Sequence, residues 1–196
     1  MRNVLLMVGS GLPTLSTIVY IISVVQGKTK PHRTTYTLFV LITSLTFASL
    51  LASHDRSGIW LAGVSVLQTL AICGLAFKWG MGGKDPFDVL CVLLCVGGIA
   101  VWLATGESLI GLLAAIVADF LALLPALRKM WRHPYTEIWT FYALDTVAAL
   151  AIVAAGPYGW RAVLYPGYLS SVNFLCVAII AWRQRQKRIA SLPLAQ

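Results

Sequence analysis

Long apolar runs alternate with short polar segments along the whole chain. A helix needs about 20 apolar residues to cross the hydrocarbon core of a bilayer. Seven runs approach or reach this length, and every connection between them is short. The seven predicted helices cover residues 4–25, 35–53, 59–77, 88–104, 108–127, 137–155 and 160–182. The pattern therefore predicts an all-α integral membrane protein with seven transmembrane helices.

Composition agrees with this prediction. Hydrophobic residues make up 59% of the chain and charged residues only 11%, with a mean hydropathy of +0.81. Soluble domains carry about 25% charged residues. The sequence pI of about 9.6 would also suit a nucleic-acid-binding protein. We exclude that partner, because the basic residues cluster at the ends of the apolar runs, where they determine membrane topology.

The basic residues also predict the orientation of the chain. Twelve of the fifteen fall on one side of the seven predicted helices. Since Lys and Arg favour the cytoplasmic side, we expect the N-terminus outside and the C-terminus inside a cell membrane, most simply a bacterial inner membrane. The twelve are Lys28, Lys30, Arg33, Lys78, Lys84, Arg128, Lys129, Arg132, Arg183, Arg185, Lys187 and Arg188.

The two ends of the chain resemble each other. "KPHRTTYTLFVLIT" from Lys30 aligns with "HPYTEIWTFYALDT" from His133, and Gln68 aligns with Asn173 in the third helix of each half. This similarity could arise by chance between two apolar sequences, or from an internal repeat. We predict two parallel three-helix repeats joined by a linker helix, in a 3+1+3 plan. Its parts are residues 1–87 (first repeat), 88–107 (linker helix), 108–183 (second repeat) and 184–196 (basic cytoplasmic tail).

The segment "LLPALRKMWRHPYTE" from Leu123 places Pro125 near the end of a helix, before a basic loop and a polar helix start. With the 3+1+3 plan, it resembles the PQ-loop/SWEET superfamily and the PnuC vitamin transporters. Pro125-Ala126 stands where the motif has Pro-Gln, and the first half has no proline at the matching place. The resemblance implies a transporter that moves a small polar solute by alternating access, with Pro125 as a hinge. Its site would lie at the bilayer midplane between the repeats.

Four polar side chains fall near the middle of four predicted helices: Gln68, Asp119, Asp145 and Asn173. A carboxylate at the bilayer centre costs at least about 2.5–3.5 kcal/mol, so buried acids indicate a functional site. The alternative is a set of hydrogen bonds that only hold the helices together.

The resemblance implies that Gln68 and Asn173 bind the substrate. We add Asp145 and Trp139 to the predicted solute-binding residues. Asp119 is predicted to couple a proton to transport or to bind a cationic group of the solute, and the same argument applies to Asp145.

Aromatic residues form two further groups. Those near the predicted outer face are expected to form an interfacial belt, with one or two of them stacking on a solute: Trp60, Tyr158, Trp160, Tyr165 and Tyr168. Those nearer the inner face are expected to line an inner gate: Tyr20, Tyr36, Trp139 and Tyr142.

No catalytic motif or metal-ligand spacing is present in the sequence, so we predict neither an enzyme nor a bound cofactor or metal. Cys73, Cys91, Cys95 and Cys176 are interpreted as packing residues. The expected partners are a small solute and membrane lipids. One chain would suffice for a complete path, and a homo-oligomer stays open. The alternative function is a seven-helix receptor or sorting protein, which would bind a ligand or peptide without moving it.

Overall fold

The computed structural model describes residues 2–52, 56–105, 108–156 and 160–190. These residues form seven α-helices and one 3₁₀ turn at Pro134–Thr136. Within the described ranges there is no strand, so the prediction of an all-α chain with seven helices is confirmed. The helices are α1 Arg2–Val25, α2 Arg33–Ala52, α3 Arg56–Trp79, α4 Pro86–Thr105, α5 Ser108–Arg132, α6 Trp139–Ala155 and α7 Trp160–Ala190.

Two helices run further than predicted. α5 continues through Pro125 to Arg132, five residues beyond the expected end at residue 127. α7 continues to Ala190, so the first part of the predicted basic tail is helical. Arg, Lys and Gln favour helices as strongly as most apolar residues do. The apolar pattern therefore gives the end of the apolar run and not the end of the helix.

Six of the helices form a closed ring in which each contacts its two neighbours. The order around the ring is α1, α3, α2, α5, α7, α6 and back to α1. The third helix of each half packs between the first and second, as α1–α3–α2 and as α5–α7–α6. The helix α4 lies outside the ring against α5 and α2. The same order thus recurs in both halves of the chain, as two related three-helix units would require.

Small residues allow α4 to approach the ring closely. Cys95 is fully buried and packs with Ala118 and Ala122 of α5 and Ile42 of α2. Small side chains let helix backbones come together and gain van der Waals contact. All four cysteines are buried and none forms a disulfide.

Two of the described helical segments are long and apolar enough to cross a membrane, Arg2–Val25 and Val163–Ile189. Three further apolar segments are shorter: Gly63–Trp79, Pro86–Val101 and Trp139–Ala155.

Three loops meet at one end of the ring, which we call the basic end: residues 26–32, 80–85 and 133–138. Backbone hydrogen bonds join them. Met81 N donates to Pro31 O (3.0 Å), Arg33 N donates to Met81 O (3.1 Å), and Lys30 N donates to Thr136 O (3.0 Å). The basic end is therefore a connected layer rather than a set of independent loops.

A glycine is required in this layer. Gly82 has φ +82°, and a Cβ built on it would collide with the imidazole ring of His32. The close approach places His32 Nε2 3.7 Å from Asp88 Oδ2, while Gly83 N donates to the same oxygen (2.7 Å).

Candidate functional site

The ring surrounds a partly open cavity of about 470 Å³. All six ring helices contribute to its lining, and α4 contributes no described residue. The four polar residues predicted at the midplane, Gln68, Asp119, Asp145 and Asn173, all line it. Depth along each helix was predicted from the sequence, and the structure adds that the four side chains face one common space.

Asp145 lies at the contact between the two halves. Ser16 Oγ of α1 donates to Asp145 Oδ1 of α6 at 2.5 Å and also lies 2.9 Å from the backbone oxygen of Pro13. Ser16 is fully buried. The hydroxyl thus links the proline turn of α1 to the acid of α6, and it holds the carboxyl of Asp145 at the cavity wall.

Asp119 has a different partner. Tyr168 Oη of α7 donates to Asp119 Oδ2 at 2.7 Å, so this contact stays within the second half. Tyr165, one turn earlier on α7, lines the cavity.

Two residues of the predicted outer belt also contact the interior: Tyr165 lines the cavity while 38% exposed, and Tyr168 donates to Asp119. The belt itself stays a prediction, and Tyr158 and the side chains of Trp60 and Trp160 lie outside the described residues.

The two amides face the cavity from α3 and α7. Asn173 Nδ2 donates to the backbone oxygen of Leu169 at 2.9 Å, while Gln68 Nε2 makes a long contact of 3.4 Å with Thr14 Oγ1. Nearby, Thr43 Oγ1 and Thr69 Oγ1 are 3.0 Å apart. An amide offers both donors and an acceptor, so this wall can form hydrogen bonds to a solute with little loss to the fold.

Aromatic rings form the floor of the cavity towards the basic end. Phe141 lies 4.6 Å from Tyr20 and 4.9 Å from Tyr142 between ring centroids, and Tyr20 lies 5.9 Å from Tyr36. Tyr36, Phe141 and Tyr142 line the cavity, and Tyr20 packs behind them. We call these four residues the aromatic floor. Three of the four residues predicted to line an inner gate belong to it.

A buried ion pair lies directly beneath the aromatic floor. Lys129 Nζ contacts Glu137 Oε1, and the two side chains are only 2% and 1% exposed. Tyr20 Oη donates to the same carboxyl at 3.2 Å, and Lys129 Nζ donates to Lys30 O at 2.6 Å. Burial lowers the pKa of the Lys129 ammonium, and the charge of Glu137 raises it.

The sequence interpretation missed this pair. The sequence places Lys129 among the basic residues that predict topology, and Glu137 is only the first residue of the predicted helix 137–155. The signal that could have found Lys129 is helical spacing: Ala118, Ala122, Ala126 and Lys129 follow one another by four, four and three residues. Residues at this spacing share a helix face, and all four are buried.

Two predicted site residues lie elsewhere. Trp139, the first residue of α6, does not line the cavity; it is 50% exposed and lines an outer groove with Tyr135 and Gln184. A residue in the first turn of α6 lies at the level of the loops. Trp139 therefore does not occupy the solute-contact and gate positions that were predicted for it.

Pro125 is buried inside an uninterrupted α5, next to Ala126 of the cavity wall. Its role as a hinge stays a prediction.

Comparison of the chain with protein-family models, curated proteins and solved structures gives no match.

Proposed function

We propose that this protein is a multi-pass membrane transporter that carries a small polar solute through its ring of six helices by alternating access. Its main support is the cavity of about 470 Å³, into which four helices project an acid or an amide. Solute sites have volumes of about 300–1,000 Å³ and a few polar groups in an otherwise apolar lining. A bundle that needed only stability would fill this space with apolar side chains, because buried acids are costly.

The outer surface of the ring supports insertion in a membrane. Large apolar side chains point away from the core on several helices, among them Leu67 of α3 (69% exposed), Leu93 of α4 (64%) and Phe174 of α7 (63%). Monomeric soluble proteins rarely expose contiguous apolar surface of this extent. In our proposal these faces contact lipid, and the basic end lies on the cytoplasmic side.

The aromatic floor and the ion pair beneath it have the properties of a gate. Three hydrogen bonds at this level join the halves of the chain: Tyr20 donates to Glu137, Lys129 donates to Lys30 O, and Lys30 N donates to Thr136 O. Lys129 and Glu137 themselves both belong to the second half. Separation of the halves would break these crossing hydrogen bonds and leave Lys129 and Glu137 paired. Opening at the basic end therefore does not require an unpaired buried charge, which would cost several kcal/mol.

A flux assay tests the proposal. Liposomes containing the purified protein are loaded with a mixture of labelled sugars, amino acids, nucleosides and amines. The release of each solute is compared with its release from identically loaded liposomes that lack the protein. We expect selective release of one class. The variant Asn173→Leu should abolish it, because the change removes the amide from the cavity. Phe174→Leu, at the next position of the same helix, changes an exposed side chain and should retain release.

The outcomes separate the candidate functions. Selective release that survives Asn173→Leu would place the path elsewhere. A solute that binds saturably without any release would instead favour the receptor or sorting function on this scaffold.

Proton coupling belongs to the same proposal. Asp119 is the proposed coupling residue because its carboxyl lines the cavity and is held by one hydroxyl, that of Tyr168. If Asp119 carries the proton, Asp119→Asn should abolish acceleration of release by a pH gradient while solute exchange continues. An unchanged response to the gradient would remove this role from Asp119.

A further inference from the structure

The ionisable side chains that line the cavity are acidic, and none of the described ones is basic. Asp119 and Asp145 line the cavity, and no Lys, Arg or His is among the described lining residues. Each carboxyl accepts one hydrogen bond from a hydroxyl, from Tyr168 and Ser16 respectively. Neither has a cationic partner within 4.0 Å among the described residues. The described residues therefore supply no positive charge to stabilise an ionised carboxyl in the cavity. A bound solute would have to supply it.

Asp145 is also close to aromatic rings. Phe141 and Tyr142 precede it by four and three residues on α6, so the three side chains share a helix face. All three line the cavity, as does Tyr36 across from them on α2. Cations are attracted to aromatic faces within about 6 Å, and the attraction grows where water is excluded. A carboxyl above aromatic rings is an arrangement that suits an ammonium group and the carbon skeleton attached to it.

An unpartnered hydroxyl marks the same region. Thr35 lines the cavity and is 1% exposed, yet its Oγ1 has no hydrogen-bond partner among the described residues. A buried polar group without a partner costs about 1–3 kcal/mol. The hydroxyl of Thr35 is therefore an unused hydrogen-bonding group in the wall of the cavity.

We propose that the solute carried by this cavity is an amine: a cationic ammonium group that pairs with Asp145, on an aromatic or aliphatic body that packs against the aromatic floor. This inference rests on the proposed function and specifies its solute class. A sugar would leave both acids without counter-charge, and an organic anion would be repelled by them.

The test compares two molecules of the same shape. Purified full-length protein in detergent is titrated with phenethylamine or with 2-phenylethanol, and the melting temperature is followed. A ligand that binds the folded state raises apparent stability by mass action. We expect a saturable rise with the amine and none with the alcohol. Asp145→Asn should weaken amine binding at least about tenfold, since loss of one partner of a buried charge pair is costly. Asp85→Asn changes an acid of the basic-end loop and should have no effect on amine binding.

An equal rise with the alcohol, no rise with the amine, or amine binding that survives Asp145→Asn overturns the assignment. If Asp145→Asn does not fold, N-acetyl-phenethylamine replaces it: this neutral amide should fail to bind, and binding equal to that of the amine overturns the proposal. A rise with sucrose that is lost in Asn173→Leu would exclude the amine class and still leave a solute site in the cavity. Failure of the amine class is therefore distinguishable from failure of the transporter proposal, which the flux assay decides.

Discussion

The ion pair of Lys129 and Glu137 is the most demanding residue-level feature of the fold. Both side chains are almost completely buried. Removal of one partner of such a pair leaves the other charge without compensation. The neighbouring Arg128 offers a contrast, because its ion pair with Asp85 has side chains 32% and 42% exposed.

We therefore expect Lys129→Met to lower the free energy of unfolding by about 3–5 kcal/mol. The matched change Arg128→Met should cost less than about 1 kcal/mol. Adding Glu137→Gln to Lys129→Met should recover a large part of the loss, because no buried charge then remains. Unfolding in mixed detergent measures all three differences. An equal cost for Lys129→Met and Arg128→Met would mean that water reaches the pair.

His32 should make stability depend on pH. Burial lowers its pKa to about 4, Asp88 of α4 raises it, and Lys129 of α5 lowers it further. In the unfolded chain the pKa of a histidine is about 6.5. Between these values the unfolded state binds more protons, so His32 reduces the free energy of unfolding as pH falls from about 6.5 to about 4.

The variant His32→Gln isolates this contribution. Comparison of unfolding at pH 7.5 and pH 5 should show a smaller loss of stability for His32→Gln than for the native protein. Only the difference in pH dependence matters, since the substitution can change stability by a constant amount at both values. An identical loss in both proteins would show that His32 is solvated in the folded state.

At the scale of elements, loop 80–85 is fitted to the start of α2. Gly82 combines φ +82° with a neighbouring His32 ring that occupies the place a Cβ would take. We expect Gly82→Ala to destabilise the protein by more than about 2 kcal/mol, because it adds backbone strain to a collision. Gly74→Ala in α3 is the control. A Cβ there meets nothing within 4 Å, so helix propensity should make this change neutral or stabilising by about 0.5–1 kcal/mol. Equal melting temperatures for the two variants would contradict the close packing of Gly82.

How much the sequence predicts also depends on the scale. Helix number follows from the apolar runs, and the depth of a residue follows from its place within a run, which is why Gln68 and Asn173 reach one cavity. The direction of a side chain around its helix is harder to predict. The polar side chains of α6 and of the apolar part of α7 are too few to mark a continuous face. They therefore do not distinguish Trp139, which lies in an outer groove, from Tyr168, which donates to Asp119. Charged residues at helix ends are usually exposed to solvent. The sequence therefore gives no reason to expect Lys129 to be buried.

At the scale of the whole molecule, the proposed topology is directly testable. We expect alkaline carbonate to leave the protein in the membrane pellet. A fluorescent protein fused after Gln196 should be bright, and alkaline phosphatase at the same position should be inactive, because both indicate a cytoplasmic C-terminus. An active phosphatase fusion together with a dark fluorescent-protein fusion would contradict the orientation that the twelve basic residues predict.

The burial of all four cysteines has a practical consequence for spectroscopy. Thiols packed among apolar side chains react poorly, since only an accessible thiolate can attack such reagents. The native chain should therefore take up little maleimide or spin label. A single cysteine placed at an exposed position of the basic end, such as Lys28 in the first half or Tyr135 in the second, would be the dominant labelled site. Distances between two such reporters could then follow the two halves of the ring in real time, with the native cysteines left in place.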